Sequence, residues 1–195
     1  MNAPAAAARD HAASGMDPVA LIRFIAGLKD ERTRHPFTAS VRHVGQDGES
    51  AHYRLEMWVD GASAACQSVD GGFSMRYTPA TRVLRIQEGP GRVHEESDRA
   101  YPAGFPPLAM ANPLHLPIWG GPSNSGTPAS ITRISRTRFE VLVNAPEDGG
   151  APQRVGRALI DTELMAALEF DWFGSRYLLE EPRRLVMPQW DTLLG

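Results

Sequence analysis

The sequence predicts a mostly β protein of the α+β kind: about ten antiparallel strands, one N-terminal helix and a mixed helix and loop insertion. Three observations predict it. Short segments of alternating side chains follow one another from Ala51 to Asp98, separated by Gly, Asp, Pro and Thr turns, and the alternation resumes after residue 128. Residues 17 to 32 instead repeat apolar side chains at helical spacing. Between Arg99 and Pro128 seven prolines interrupt a run of large apolar residues, a composition that breaks strands and allows only short helices.

Taken in order, residues 1 to 15 are small, polar and without periodicity, and read as a disordered tail before a single domain spanning 16–195. Asp17 is placed as an N-cap with Pro18 at the first helical position. Val19, Ile22, Phe24, Ile25 and Leu28 then form an apolar stripe, and the helix is expected to run to about Arg32 before His35-Pro36 stops it. Phe37 to Val44 is the first strand, and Gln46-Asp47-Gly48-Glu49 turns it into a long second strand. There Tyr53, Leu55, Met57 and Val59 share one face, while His52, Arg54, Glu56 and Trp58 share the other. Phe73, Met75 and Tyr77 repeat the pattern, as do Leu84 and Ile86, with turns at Asp70-Gly71-Gly72 and Thr78-Pro79-Ala80-Thr81. Strands are read again at 129–135, 138–145, 154–162, 167–173 and 176–187.

Bulk composition excludes several classes. The 195 residues suit one domain with a substantial core, and 42% hydrophobic with 22% charged residues is ordinary for a globular protein. A net charge of -3 is the wrong sign for a general nucleic-acid binder. Cys66 is the single cysteine, which rules out an internal disulfide and a thiolate zinc site, and its small-residue strand reads as a buried, inert thiol. No window approaches the roughly 18 apolar residues of a membrane span. The start has no apolar signal core, so the chain as it stands is expected in the cytoplasm, or in the periplasm if a native signal peptide has been removed.

The order of these elements resembles the lipoprotein-carrier superfamily, which includes the carrier of outer-membrane lipoproteins, its receptor and an envelope-stress regulator. Leu21 to Leu28 looks like that superfamily's opening helix, and Phe37 to Val41 its first strand. Val69-Asp70-Gly71-Gly72-Phe73-Ser74-Met75-Arg76-Tyr77-Thr78-Pro79 is similar to its strand entered at an Asp-Gly turn, with Arg82 to Glu88 following. The resemblance spans about residues 17 to 187 and departs from the family in lacking a lipobox cysteine near the start. It implies an unclosed half barrel whose apolar concave face is covered by helices and loops.

Such a concavity is expected to hold an acyl chain, a lipid, a lipoprotein or another greasy molecule, each buried methylene contributing about 0.8 kcal/mol. The strand residues expected to line it are Tyr53, Leu55, Met57, Phe73, Met75, Leu84, Phe139 and Trp172. Phe105, Met110 and Trp119 belong to the expected movable lid, and Met57, Met75 and Met110 suit repacking around variable ligands. Arg133, Arg136, Arg138, Arg183 and Arg184 are expected as a basic rim for a head group. No catalytic residue, cofactor or metal set is assigned. The remaining arrangement with ligand chemistry is His43 and His52, which antiparallel pairing across the first hairpin is expected to bring near each other. Glu95-Glu96 and Glu180-Glu181 point to opposite faces and read as solvated or arginine-paired. Two other functions fit the same scaffold: a small-molecule biosynthetic enzyme acting by positioning, with Trp58, Tyr101, Trp119 and Trp172 as stacking residues, and a module binding a protein partner.

Overall fold

A computed structural model describes residues 17–29, 35–58, 63–120, 126–145 and 153–185. Expectations for the N-terminal tail, for Val59, for the chain beyond 185 and for the Gly-Ser stretch 121–125 lie outside these residues. Helix α1, Pro18–Leu28, starts as the sequence directs: the Asp17 carboxylate accepts a hydrogen bond from the Val19 amide at 2.9 Å, with Pro18 in the first turn. Its described part ends at a Lys29 cap. The apolar stripe is only partly used, because Val19 and Ile22 are 52% and 65% exposed while Leu28 is buried and Phe24 is half-buried. The helix meets the domain along its Phe24–Leu28 side alone.

The strands are β1 (Phe37–Val44), β2 (Ser50–Met57), β3 (Ala64–Ser68), β4 (Phe73–Thr78), β5 (Val83–Glu88) and β6 (Arg92–Glu96), then β7 (Thr127–Arg133), β8 (Arg138–Asn144), β9 (Arg154–Asp161), β10 (Ala166–Trp172) and β11 (Ser175–Arg184). These eleven strands of the described residues form one unclosed antiparallel sheet in the order β6-β5-β4-β3-β2-β1-β11-β10-β9-β8-β7. Every neighbour is also a neighbour in sequence except β1 and β11, which join two meanders at the centre. Strands β6 and β7 are the two free edges. The chain therefore passes from one edge to the other between residues 97 and 126, carrying helix α2 (Pro106–Ala111) and a 3-10 turn (Pro113–His115) across one face.

That face is the inner one. Phe37, Ala39 and Val41 of β1, Leu55 and Met57 of β2, Val141 and Val143 of β8, and Ala158 and Ile160 of β9 are all buried on it. Helix α2 lies against β2 and β3 on one meander and against β10 and β11 on the other. Leu108, Ala109 and Met110 are fully buried there. The outer face is polar and laced with ion pairs: Arg157 meets Glu140 and Glu169, each at 2.6 Å, and Arg42 meets Glu180 at 2.8 Å.

Proline is accommodated where a ladder can spare an amide. Pro128, expected to exclude a strand, lies within edge strand β7, where the pairing with β8 shifts register before Ser130. Pro182 of β11 falls in the irregular stretch where the pairing with β1 skips from Thr38 to Ser40, beside Glu181 at φ +50°. The β10–β11 hairpin turns on Phe173 and Gly174, at φ +45° and +81°; two positive angles in succession match the right-handed twist of the strands.

Candidate functional site

The inner face is divided by the insertion rather than left open beneath it. Of the residues expected to line a concavity, Leu55, Met57 and Met110 are in the closed core, at 0%, 2% and 0% exposure. The remaining space lies on the β4–β6 wing, under the stretch 96–105. It is a half-open cavity of about 530 Å³ lined by Met75, Leu84, Ile86, Tyr101 and Phe105, with Glu96, Asp98 and Arg99 at its rim. Two polar contacts shape that rim: the Arg99 Nε donates to Glu96 at 2.7 Å, and His94 Nε2 lies 3.0 Å from the other Glu96 oxygen.

Tyr101 fixes the roof of this cavity. Its ring stacks on His115 at 4.3 Å and meets Tyr77 edge-on at 5.3 Å, while its hydroxyl donates to the Leu108 carbonyl at 2.7 Å. Phe105 forms the inner wall, 5.2 Å from Phe73 and 5.6 Å, edge-on, from Tyr53. The structure thus brings Tyr53, Phe73, Met75, Leu84 and Phe105 together. Phe139 and Trp119 belong to a separate cluster at the other end of the sheet, where the Phe24 ring of α1 sits 5.0 Å from the first and 6.2 Å from the second. Trp119 is further held by a 2.8 Å hydrogen bond from its indole to the Pro113 carbonyl. Trp172 stacks at 5.6 Å on Phe170 and lies over Gly156, where an added Cβ would come within 2.6 Å of its ring.

Beyond Phe105 and Tyr53 the aromatic surface continues to His43 and Tyr177, whose rings stack 4.4 Å apart across the β1–β11 pairing. The sequence did not reveal this contact, because β1 and β11 carry no local signal that pairs them. Burial lowers the His43 pKa, with Asp47 opposing, and raises those of Tyr53 and Tyr177, so all three are uncharged at neutral pH.

Three expectations are corrected. His43 and His52 do not converge: β1 residue 43 pairs with Ala51, so His52 falls one residue out of step, exposed on the opposite face. Four of the five arginines of the expected basic rim are engaged locally: Arg138 pairs with Asp161 at 3.3 Å, Arg183 with Glu181 at 3.3 Å and Arg184 with Glu163 at 3.0 Å, while Arg133 caps the carbonyls of Ser135 and Arg136. Trp58 lies past the end of β2, where the Arg76 guanidinium covers its ring at 5.2 Å. Cys66 is buried, and burial pushes its thiol pKa up to about 12, which removes it as a nucleophile at neutral pH. Among the described residues no cluster of three or more His, Cys, Asp and Glu is placed to hold a metal ion, and no helix is long and apolar enough to cross a membrane.

No protein-family model matches the sequence. No curated protein matches it. Solved structures do: an uncharacterised conserved protein from Thermus thermophilus aligns over 87% of this chain and 90% of its own, at 9% identity and a TM-score of 0.52. MucB aligns over 93% of this chain, which spans 64% of the MucB chain, at 12% identity and a TM-score of 0.45. A LolA superfamily protein from Nitrosomonas europaea aligns over 84% of this chain and 94% of its own, at 10% identity and a TM-score of 0.38. At such identities the likeness is one of fold alone.

Proposed function

We propose that this protein binds a hydrophobic ligand of the acyl-chain or lipid class between the inner face of its sheet and the insertion that crosses it. One observation carries the reading: the element filling the concavity is a Pro-rich crossing segment that is not part of the sheet ladder. Among the described residues, backbone hydrogen bonds from Tyr101 to Leu116 close on the segment itself: Phe105 on Pro102, Leu108 and Ala109 on Phe105, Asn112 on Ala109, His115 on Asn112 and Leu116 on Pro113. Apolar side chains hold it against the strands. A segment of that kind can leave the sheet without breaking a strand pairing, and an apolar ligand replaces the contacts it gives up.

The cavity under residues 96–105 supplies the point of entry. Its volume of about 530 Å³ falls in the range of small-molecule sites, and its Met, Leu, Ile and Phe walls match a methylene chain. Displacement of Phe105 and α2 lengthens the site along the inner face, past Met75 and Leu55, toward Tyr53. Carriage of the bound molecule follows if the same segment opens to release it.

The test is native mass spectrometry with solvent extraction of protein purified from its own host, together with titration of the delipidated protein with N-phenyl-1-naphthylamine, an uncharged fluorophore. A co-purifying acyl species, and probe fluorescence displaced by long-chain acyl compounds, are the expected results. A protein that is empty and silent to the probe overturns the proposal.

A further inference from the structure

Resting on that reading, we infer that His43, Tyr53 and Tyr177 form a polar subsite on the inner face, beyond Phe105 from the cavity, that receives the uncharged, oxygen-bearing head group of an acyl ester. The three side chains come from adjacent strands β1, β2 and β11 and share the inner face. His43 is stacked 4.4 Å from Tyr177, and the register that pairs Val41 with Tyr53 sets His43 diagonally beside that tyrosine. Their polar atoms are poised but unused. His43 Nε2 is buried with no hydrogen-bond partner, and among the described residues the hydroxyls of Tyr53 and Tyr177 bond to no protein group. A buried polar atom left unsatisfied costs about 1–3 kcal/mol, and a ligand that reaches it recovers that cost.

The surroundings define the ligand. Tyr53 touches Phe105, the wall of the apolar cavity, so a chain lying in the cavity reaches the three polar groups once Phe105 swings aside. After burial, the groups acting on the subsite are Asp47 on His43, Cys66 and then Asp70 on Tyr53, and Tyr53 on Tyr177, and the two that are ionised at neutral pH are the carboxylates. Burial keeps the imidazole neutral and the phenols protonated, giving two hydroxyl donors and one imidazole nitrogen for ester or alcohol oxygens. A free carboxylate would meet the like charge of Asp47 and Asp70. An uncharged ester satisfies the donors without that repulsion.

The test uses the full chain, delipidated, with three probes: N-phenyl-1-naphthylamine, 1-monooleoylglycerol and oleate. Wild type is expected to bind the glyceryl ester at least about tenfold more tightly than the acid. Tyr177→Phe and His43→Phe, which keep a ring in place, are each expected to weaken the ester about three- to tenfold while leaving the naphthylamine affinity within about twofold, and Tyr53→Phe is expected to weaken the ester by a similar factor. Equal affinity for ester and acid, or an ester preference that survives all three substitutions, overturns the subsite and leaves hydrophobic binding intact. Failure of wild type to bind the naphthylamine overturns the proposed function, and the subsite with it.

Discussion

Replacing Leu108 by alanine separates a crossing segment that opens from one that is simply core. Leu108 is fully buried between α2 and the sheet. A buried Leu→Ala change costs about 2–5 kcal/mol, the larger values where the surroundings do not collapse; the short, proline-started α2 can settle, so about 3 kcal/mol is the working figure. In the open state Leu108 faces water and the substitution costs almost nothing there. The closed-to-open equilibrium therefore shifts toward open by about 3 kcal/mol, roughly a hundredfold. For a ligand that binds only the open form the apparent Kd is the intrinsic Kd divided by the open fraction, so Leu108→Ala should tighten binding of a long acyl chain by up to about a hundredfold. The assay is displacement of N-phenyl-1-naphthylamine alongside urea unfolding followed by far-ultraviolet circular dichroism. Stability falling by about 3 kcal/mol with tighter binding supports the opening; the same fall with unchanged or weaker binding refutes it.

Three further outcomes follow from the packing. Cys66 in the folded state holds its proton up to a pKa of about 12, against about 9 for an exposed thiol, so the unfolded chain loses that proton first and stability drops as pH rises from 9 toward 12, by about 1.4 kcal/mol per unit; urea midpoints that fall no faster in wild type than in Cys66→Ala over that range would contradict it. Gly156→Ala puts a Cβ 2.6 Å from the Trp172 ring and 2.8 Å from the Asp171 carbonyl, so about 1–3 kcal/mol of stability and the near-ultraviolet signal of Trp172 should be lost, and an unperturbed spectrum would show that the ring has room to move. Arg157 holds the Glu169 pKa below its usual value, chiefly through their hydrogen bond; that contribution is present above the unfolded carboxylate pKa of about 4.3 and is lost as pH falls through the lower folded value. Arg157→Met should therefore cost about 1–2 kcal/mol at pH 7 and flatten the acid limb of the stability curve, and an acid limb as steep as wild type's would refute the assignment.

Much of the scaffold was legible because its signals are local. The period-two pattern of Tyr53, Leu55 and Met57 put all three on the inner face, although the last two are closed core rather than the expected lining, the Asp70-Gly71 turn set the β3–β4 hairpin, and Asp17-Pro18 marked the start of α1. What was missed depends on partners distant in sequence. The stack of His43 on Tyr177 exists only because β1 pairs with β11, and the same pairing makes β6 and β7 opposite edges, turning an expected cover into a segment laid through the middle. Parity, which depends on the hairpin register, put His43 and His52 on different faces. Helical spacing likewise grouped Val19 and Ile22 with Leu28, but spacing does not show how much of a stripe the domain can cover. For the binding residues, alternation identified the inner face; the cavity's position was set by where Tyr101 and Phe105 come to rest.

The seam between β1 and β11 also governs the order in which the molecule can assemble. Helix α1 and the first six strands emerge from the ribosome as a chain of hairpins, each able to form from its neighbours alone. The outer side of β1, however, has no ladder partner until Ser175–Arg184 has been made, so during synthesis the nascent sheet carries an unsatisfied row of amides and carbonyls along what will become its centre. Closing it spans most of the chain, an arrangement of high contact order that belongs with the slower, millisecond-to-second class of folders. The same half-made sheet is the species most prone to pair with a copy of itself, so refolding yield should fall steeply with protein concentration.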